Sequence, residues 1–225
     1  MKKNNIAIVG ANGKMGSLLC ESLKDKYEVM KVTENNSLKD FKNIGLVVDF
    51  ACASSSVESA RFCAEKKIPL LIASTGQDDE QLKIIEKCAK DTPIMVSSNL
   101  SIGICLVKKL IDSIINKFSY DITIYEKHHK TKIDKPSGTA KLLKKYICDK
   151  CNNKEMRVDI LSERGGKEVG THSINFYLDD ELISINHVAY SRTLFVKGAE
   201  IAIEFIKKQT EKRLYNFDEV VCFDN

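Results

Sequence analysis

The sequence predicts an α/β fold, with an N-terminal doubly wound parallel sheet and a smaller α+β domain built on an open, mostly antiparallel or mixed sheet. Short apolar runs and amphipathic helical segments alternate through the first hundred residues, which is typical of parallel βαβ units. A glycine-rich turn, Gly10-Ala-Asn-Gly13-Lys-Met-Gly16, separates the first apolar run from the first helical pattern. From residue 121 onward apolar residues recur with period two, which indicates the strands of a second sheet.

The first domain is predicted to contain five strands joined by helices. The strands are residues 6–9, 27–32, 44–50, 68–73 and 94–97. One helix follows the glycine turn and two more cover residues 57–67 and 78–90, with inward positions that include Met15, Leu18, Leu19, Leu23, Leu82, Ile85 and Ala89. The connection at residues 35–43 is too short for a full crossover helix, so we expect only a reduced turn there.

The second domain is predicted to be richer in strands. The predicted elements are helices at residues 102–118 and 140–151 and strands at 121–126, 156–161, 171–178 and 181–189. Asp179-Asp180 separates the last two strands, which indicates a hairpin. A final helix at residues 191–213 is expected to return to the first domain. We therefore expect one domain of residues 1–100 with 199–225 and another of residues 101–198.

Composition and charge exclude several classes of protein. Hydrophobic residues make up 43% of the 225 residues, which is enough for a core. The 35 Lys and Arg against 31 Asp and Glu give a net charge of +4, spread without a nucleic-acid-binding stripe. No apolar run approaches the roughly 18 residues of a membrane span. The first strand begins too early to leave room for a signal peptide, so a cytoplasmic location is expected.

The chain has eight cysteines, and reduced thiols are the simplest expectation for them. Most lie in apolar patterns, where free cysteine behaves as a small hydrophobic residue. Cys148-Asp-Lys-Cys151 has C-x-x-C spacing, but no second pair or suitably spaced histidine accompanies it. We predict no metal site.

The glycine turn has the context of a dinucleotide-binding fingerprint, because it follows a strand and opens a helix. Gly10 would allow the tight turn, Gly13 would admit the pyrophosphate, and Gly16 would let the helix pack on the strand. The pyrophosphate would bind the free N–H groups at the helix N-terminus. The spacing is G-x-x-G-x-x-G rather than G-x-G-x-x-G, and a simple tight βα turn is the alternative.

Glu34 lies just past the second predicted strand, where an acid commonly binds the ribose hydroxyls of a dinucleotide. A carboxylate there would repel a 2′-phosphate, and Asn35 offers that phosphate no cation. NADH is therefore favoured over NADPH, although Lys31 and Lys39 are near enough in sequence to weaken the argument. A solvated loop carboxylate is the alternative reading of Glu34.

Polar turns at three predicted strand ends, residues 52–56, 74–77 and 97–101, offer further hydroxyl and N–H groups, although each could be an ordinary helix cap. The segment Glu126-Lys-His-His-Lys-Thr-Lys-Ile-Asp-Lys-Pro-Ser-Gly-Thr-Ala140 holds two of the four histidines of the chain. Its density of groups that transfer protons and bind anions predicts a site for a small, multiply charged substrate.

Taken together, these motifs resemble the dihydrodipicolinate reductases, now called 4-hydroxy-tetrahydrodipicolinate reductases, of the lysine and diaminopimelate pathway. The resemblance covers nearly the whole chain. Its motifs are I-V-G-A-N-G-K-M-G from Ile8, V-D-F from Val48, S-T-G from Ser74, S-N-L-S-I-G from Ser98, the segment from Glu126, R-G-G-K-E-V-G-T-H from Arg164 and H-V-A-Y-S-R-T-L-F from His187.

This resemblance implies the reduction of a cyclic dicarboxylate imine to tetrahydrodipicolinate with NADH and/or NADPH. His128 matches the family's proton donor or acceptor, and Lys132 matches its proton donor. The residues that match substrate contacts are His129, Ser137, Gly138 and Thr139. The family is typically a homotetramer joined through the sheet of the second domain, which would make residues 101–198 a substrate-binding and oligomerisation domain.

For the cofactor, the resemblance implies contacts from three groups of residues in the dinucleotide-binding domain. These are Gly10, Ala11, Asn12, Gly13, Lys14 and Met15 at the pyrophosphate, Glu34 at the adenosine ribose, and Ala73, Ser74, Thr75, Ser97, Ser98, Asn99 and Leu100 at the nicotinamide side. Many relatives have G-T-T-G and A-P-N-F-S where this chain has A-S-T-G and S-S-N-L-S. They also have arginine in place of Asn35, which puts NADP use in doubt.

Some assignments stay open at this level. His172, His187, Arg164 and Arg192 lie within family motifs, but each could have a structural role. Two other functions remain as alternatives, a related Rossmann dehydrogenase acting on a different imine or amino acid, and a non-catalytic dinucleotide-binding sensor. The first would have no reason to retain Lys132 together with the Ser-Gly-Thr turn at residues 137–139, and the second would tolerate loss of His128 and Lys132, yet all of these residues are present.

Overall fold

The computed structural model describes residues 4–117, 121–153 and 155–221 of the chain. These residues form two compact units. The first contains the residues up to Leu100 together with those from Thr193 onward, and the second runs from Ser101 to Arg192. The boundary at Thr193 is the start of a helix, so that whole helix belongs to the first unit. The functional roles assigned to the two domains stay predictions.

The first unit is built on a parallel sheet of six strands. They are β1 (Asn4–Val9), β2 (Tyr27–Val32), β3 (Leu46–Asp49), β4 (Leu70–Ile72), β5 (Ile94–Val96) and β10 (Leu214–Asn216). Their order across the sheet is β10-β5-β4-β3-β1-β2. The direction of winding reverses between β1 and β3, and ligands of such sheets bind beyond the carboxyl ends of the strands at this switch point.

Helices connect these strands on both faces of the sheet, which confirms the predicted doubly wound arrangement. They are α1 (Lys14–Leu23), α2 (Ala53–Lys66), α3 (Asp79–Cys88) and α6 (Thr193–Ile206), with short 3-10 helices at Leu38–Asp40 and Phe217–Glu219. The 3-10 helix at Leu38–Asp40 is the reduced turn expected between β2 and β3. The predicted second strand, residues 27–32, is confirmed residue for residue as β2.

Several predicted details of the first unit are wrong. α2 begins at Ala53 rather than at residue 57, because its first turn is ordered by hydrogen bonds from the Ser55 hydroxyl to Asp49 and from the Ser56 hydroxyl to the carbonyl of Ala53. Leu18 and Leu82 are 39% and 38% exposed and do not face the core. The final helix ends at Ile206, where the polar sequence that follows offers no further apolar positions, and the short strand β10 was not predicted.

The second unit contains a four-stranded sheet and two helices. Its elements are α4 (Ile102–Ile114), β6 (Asp121–His128), α5 (Gly138–Lys150), β7 (Val158–Arg164), β8 (Gly170–Tyr177) and β9 (Leu182–Ala189). The sheet order is β7-β6-β8-β9, with β6 parallel to β7 and the other pairs antiparallel. This confirms the expected mixed sheet and the β8–β9 hairpin. α4 is shorter than predicted, and residue 118 of the predicted helix lies outside the described residues.

The strand β6 extends two residues beyond its predicted end, and this extension positions the polar residues of the unit. Its buried face carries Ile122 and Ile124 and then Glu126 and His128, because alternate residues of a strand face the same side. Ile122 and Ile124 pack in the apolar core against α5, where Leu143 is fully buried. The same face of one strand is therefore apolar in its first half and ionisable in its second half.

The described cysteines, seven in number, are all free, and Cys222 lies outside the described residues. Burial raises the pKa of the Cys63 thiol above its usual range. Among the described residues we find no cluster of metal-binding side chains. None of the described helices has the length and apolar character needed to span a membrane.

Candidate active site

Glu126 is fully buried and is the centre of a hydrogen-bond cluster in the second unit. Arg164 binds it through two parallel bonds, with Nη1 2.9 Å from Oε2 and Nη2 2.8 Å from Oε1. The backbone N–H of Ser137 donates to Oε1 at 3.2 Å, and Nδ1 of His128 lies 2.5 Å from Oε2. One carboxylate therefore joins the ends of β6 and β7 to the beginning of α5.

The hydrogen bonds around Glu126 decide its charge. Burial alone would raise its pKa, but hydrogen bonds from Arg164, Ser162, His128 and the N–H of Ser137 outweigh burial and hold the pKa at about 2. Burial lowers the pKa of His128, and the Glu126 carboxylate opposes that effect. At neutral pH the cluster therefore combines an ionised carboxylate with an imidazole that is largely neutral.

The loop after β6 carries the other predicted chemical groups. The Lys132 ammonium pairs with Oδ1 of Asp134 at 2.7 Å, and Lys132 also contributes to the electrostatic environment of His128. The N–H of His129 donates to the carbonyl of Glu168 at 2.9 Å, which holds the loop against the β7–β8 connection. Nδ1 of His129 lies 2.8 Å from Oγ1 of Thr131, so this imidazole has a local partner.

The N-terminus of α5 is suited to bind an anion. Ser137 is the N-cap, and its hydroxyl oxygen accepts a hydrogen bond from the N–H of Ala140 at 3.2 Å. The first turn contains no acidic residue. A Cβ at Gly138 would meet no described atom within 4 Å outside its own helix turn, so there is open space beside the helix end. The backbone N–H groups of this turn and the helix dipole favour a carboxylate in that space.

Three histidines follow one another across the sheet of the second unit. The rings of His128 and His172 have centroids 5.2 Å apart, and those of His172 and His187 are 6.0 Å apart. Nε2 of His172 lies 3.4 Å from Oγ of Ser137, and Nε2 of His187 lies 3.4 Å from Oγ of Ser101, so each faces the N-cap of a helix. Burial, with a smaller effect of the neighbouring histidines, lowers the pKa of His172 to about 3. Both residues therefore support helix ends as neutral imidazoles.

In the first unit, the turn between β1 and α1 has the backbone geometry that the glycines predicted. Gly10 has a φ of +77°, which a side chain disfavours. A Cβ at Gly16 would lie 2.1 Å from the carbonyl oxygen of Gly10, so only glycine permits this packing. Gly13 is the N-cap of α1, and among the described residues no side chain caps this helix end. Of the other predicted contacts, Ala11 and Asn12 lie in the same turn, and Lys14 and Met15 are the first two residues of α1.

Glu34 lies in the exposed turn directly after β2. The turn is ordered by Asn36, whose side chain accepts a hydrogen bond from the N–H of Thr33 at 2.9 Å and donates to the carbonyl of Lys31 at 3.2 Å. A cavity of about 230 Å³ adjoins this turn. Its lining includes Val9, Thr33, Asn36, Ser37, Lys39 and Ser55. The cavity is thus next to the strand end where the ribose was predicted to bind.

The remaining predicted cofactor residues lie at the same edge of the sheet, because Asp49, Ile72 and Val96 are paired in register. The N–H groups of Ala73 and Ser74 donate to the carbonyl of Asp49 at 2.8 and 3.1 Å. The residues of these two strand ends are Ala73, Ser74, Thr75, Ser97, Ser98, Asn99 and Leu100. The side chain of Leu100 is 3% exposed, so it belongs to the core and only its backbone is placed to serve a ligand.

Hydrogen bonds to Asp49 order the first turn of α2. Its buried carboxylate accepts hydrogen bonds from the N–H of Ala51 at 2.9 Å and from the hydroxyls of Ser55 and Ser59 at 2.9 and 2.7 Å. Burial raises the pKa of Asp49, and these hydrogen bonds oppose that effect. The residues predicted as a polar loop are therefore tied to the end of β3.

Sequence patterns alone assign no role to Glu126 and leave the roles of Arg164 and His172 open, but in the structure all three residues lie beside the predicted catalytic residue His128. A usable signal was present. Glu126 and His128 continue the period-two positions of an apolar strand, and an ionisable residue at an inward position requires a buried partner. Arg192 remains exposed at the end of the second unit.

Comparison with known proteins adds an independent result. A family model described as "Dihydrodipicolinate reductase, N-terminus" matches residues 4–100, and one described as "Dihydrodipicolinate reductase, C-terminus" matches residues 103–221. The 4-hydroxy-tetrahydrodipicolinate reductase of Clostridium tetani (strain Massachusetts / E88) is 36% identical over 95% of this chain and 95% of its own length. That of Alkaliphilus oremlandii (strain OhILAs) is 34% identical over 96% and 98%.

A solved structure of similar fold is the dipicolinate-bound dihydrodipicolinate reductase from Paenisporosarcina sp. TG-14. It aligns with a TM-score of 0.78 over 95% of this chain and 97% of that chain, at 23% sequence identity. This similarity supports the α/β fold described above.

Proposed function

The chain belongs to the dihydrodipicolinate reductase family, and we propose from this membership and from the site geometry which of its residues hold the substrate, the transferred proton and the dinucleotide. The protein is an NAD(P)H-dependent oxidoreductase that reduces 4-hydroxy-tetrahydrodipicolinate to tetrahydrodipicolinate in the diaminopimelate route to lysine. The 4-hydroxyl leaves as water, so the reaction consumes a proton as well as a hydride. The protein must therefore bind a dicarboxylate and supply that proton.

For one substrate carboxylate we propose the N-terminus of α5, with Ser137, Gly138 and Thr139 as the binding residues. The absence of acidic residues from this first turn and the open space beside Gly138 support this role. His129 is proposed as a further substrate contact from the preceding loop. An anion at a helix N-terminus is stabilised by typically 0.3–1 kcal/mol, and more when the site is partly buried.

For proton transfer we propose Lys132 as the donor and His128 as donor or acceptor. A cationic lysine beside two carboxylates also orients the substrate by charge. The observation that carries the proposal is that the Glu126 carboxylate binds both Nδ1 of His128 and the N–H of Ser137. The proton carrier and the anion site are thereby held by one buried group, so they keep a fixed relation to each other.

For the dinucleotide we propose the carboxyl edge of the first sheet. The turn from Gly10 to Met15 fits the pyrophosphate, because it opens α1, whose N-terminus has no side-chain cap among the described residues and no acid in its first turn. When bound, the dinucleotide supplies the hydride. Glu34 is proposed to bind the adenosine ribose, with residues 73–75 and 97–100 bordering the nicotinamide side.

A coupled assay tests the function directly. Pyruvate and aspartate semialdehyde, with the preceding synthase, generate the unstable substrate in place, and oxidation of NADH or NADPH is followed in separate reactions. We expect rapid oxidation that requires both the synthase and this protein. Folded protein that binds NADH but oxidises neither cofactor would contradict the substrate assignment and favour a different imine.

We propose that Glu34 makes NADH the preferred cofactor, and Glu34→Gln tests this. Removing the carboxylate removes its repulsion of a 2′-phosphate, so kcat/KM with NADPH should rise about tenfold, which corresponds to about 1.4 kcal/mol. The value of kcat/KM with NADH should stay level or fall, because the hydrogen bond from the adenosine ribose to residue 34 becomes weaker. The matched control is Glu28→Gln, which removes the same charge from an exposed position in β2 near its other end. An unchanged cofactor ratio in Glu34→Gln would contradict the role.

We also propose that the protein is a homotetramer assembled through the sheet of the second unit. Both edge strands of that sheet expose apolar side chains, Leu161 on β7 at 57% and Leu182 on β9 at 53%. Light scattering after size-exclusion chromatography should give four times 25.3 kDa, or about 101 kDa. A mass of one chain at micromolar concentration would contradict this assembly.

A further inference from the structure

Glu126 and Arg164 form a two-bond ion pair that does not depend on His128. Its two parallel bonds of 2.8 and 2.9 Å use one N–H of each Nη atom and leave Oε2 able to accept a further bond. That further bond comes from Nδ1 of His128 at 2.5 Å, with both side chains buried. A carboxylate held by arginine on one side thus fixes an imidazole on the other.

This contact determines which nitrogen of His128 carries the proton in the neutral ring. An ionised carboxylate only accepts hydrogen bonds, so Nδ1 must be the donor and Nε2 must present its lone pair. Nε2 faces the backbone of Gly170, where a Cβ would lie only 2.8 Å away. A side chain at Gly170 would collide with the ring, so glycine at this position allows His128 to keep this orientation.

We propose that Glu126, anchored by Arg164, is the positioning residue that holds His128 in the Nδ1–H tautomer and makes Nε2 the atom that exchanges a proton with the substrate. This inference rests on the proposed role of His128 in the reaction. Glu126 does not touch the substrate. It acts by orienting the ring and by stabilising the imidazolium that forms when Nε2 is protonated.

The charges around His128 come from every element packed against it. Glu126 on β6 favours the protonated ring, whereas Lys132 in the following loop and Arg164 on β7 disfavour it, and His172 on β8 is a neutral neighbour. Loss of the Glu126 charge therefore lowers the pKa of His128 further. The profile of kcat/KM against pH should move in the acidic direction on the limb that His128 controls.

Glu126→Gln is the direct test. We expect kcat to fall about a hundredfold or more, with the dissociation constant for NADH unchanged, because a misoriented or wrongly protonated ring affects only proton transfer. Histidine ¹⁵N NMR of the full chain gives a readout independent of activity, with the His128 signal assigned from His128→Gln. The neutral His128 ring should be the Nδ1–H tautomer in the parent protein and a mixture of tautomers in Glu126→Gln.

A second variant separates positioning from folding, since Glu126→Gln leaves the Arg164 charge buried without its partner. The double variant, Glu126→Gln with Arg164→Met, removes both charges. It should therefore unfold cooperatively even if the unpaired Arg164 charge destabilises Glu126→Gln. We expect turnover and the tautomer mixture to remain as in Glu126→Gln. Recovery of turnover in the double variant, or an unchanged His128 tautomer in either variant, would overturn the inference. Normal turnover in His128→Gln would instead overturn the proposed role of His128, whatever the tautomer.

Discussion

Lys132→Ala is expected to lower kcat by about 10²- to 10⁴-fold, the usual contribution of a positioned proton donor. The substituted chain should still bind NADH with a dissociation constant within about twofold of the parent, because the predicted dinucleotide site lies in the other unit of the chain. The side chain of Lys132 is 22% exposed and pairs with the Asp134 carboxylate, whose side chain is 51% exposed, so its removal leaves no buried charge on that partner. Steady-state kinetics in the coupled assay and NADH fluorescence titration measure the two quantities.

The control for Lys132→Ala is Lys145→Ala. Lys145 forms a similar ion pair with Asp149, at 2.8 Å, on the exposed face of α5. Its removal should change neither kcat nor NADH binding by more than about twofold, since exposed pairs of this kind contribute about 0.3–0.5 kcal/mol. Equal losses of turnover and NADH binding in Lys132→Ala would indicate misfolding and contradict the assigned role.

Arg164→Leu is expected to have the largest effect on stability. It removes the guanidinium that binds both oxygens of the fully buried Glu126 carboxylate. Breaking a buried pair in this way typically costs about 3–5 kcal/mol, because one charge remains without compensation. Denaturant unfolding at pH 7, followed by circular dichroism, should show that loss as a lower midpoint at an unchanged slope.

The difference in free energy of unfolding between the parent protein and Arg164→Leu should become smaller at lower pH. In the parent protein the pKa of Glu126 is held at about 2, below its usual 4.5, so its contribution is full above pH 4.5 and is lost as the pH falls through about 2. Without the guanidinium, burial raises the pKa of Glu126 and the carboxyl becomes neutral at a higher pH. The gap between parent and variant should therefore narrow as the pH is lowered from 7.

Arg157→Leu is the matched control for Arg164→Leu. Arg157 forms its ion pair with Asp159 at 2.7 Å, but its side chain is 73% exposed. Its loss should lower the free energy of unfolding by no more than about 1 kcal/mol. Equal free energies of unfolding for Arg164→Leu and Arg157→Leu would show that the ion pair of Arg164 with Glu126 does not stabilise the fold.

The parts of the fold that could be predicted are those in which periodicity and burial agree. The strand at residues 27–32 was predicted correctly, and the glycines of the first turn have the roles that their spacing indicated. β10 could not be predicted, because three residues carry too little periodicity and their pairing with β5 is distant in sequence. The start of α2 was misplaced because serines that bond to Asp49 look, in sequence, like a polar loop.

The candidate site was only partly predictable for a related reason. The composition of the segment from Glu126 to Ala140 predicts a site for a charged substrate. Composition does not, however, distinguish residues on a strand from residues in a loop. His128 belongs to β6, whereas Lys132 belongs to the loop that follows, and the composition of the segment does not separate the two. The contacts of Arg164 and His172 depend on pairing of β6 with β7 and β8, which local patterns do not specify.

The chain order of the first unit has a consequence for synthesis. Its sheet begins with β1 near residue 4, but β10 and α6 come from the segment after Arg192. α6 is joined to the N-terminal part by hydrogen bonds from Ser22 to Glu200 and from Tyr27 to Glu204. On the ribosome, the whole second unit is made while β5 still has an open edge. A chain that terminates after the second unit therefore lacks part of the first unit, although the missing residues are far in sequence from β1.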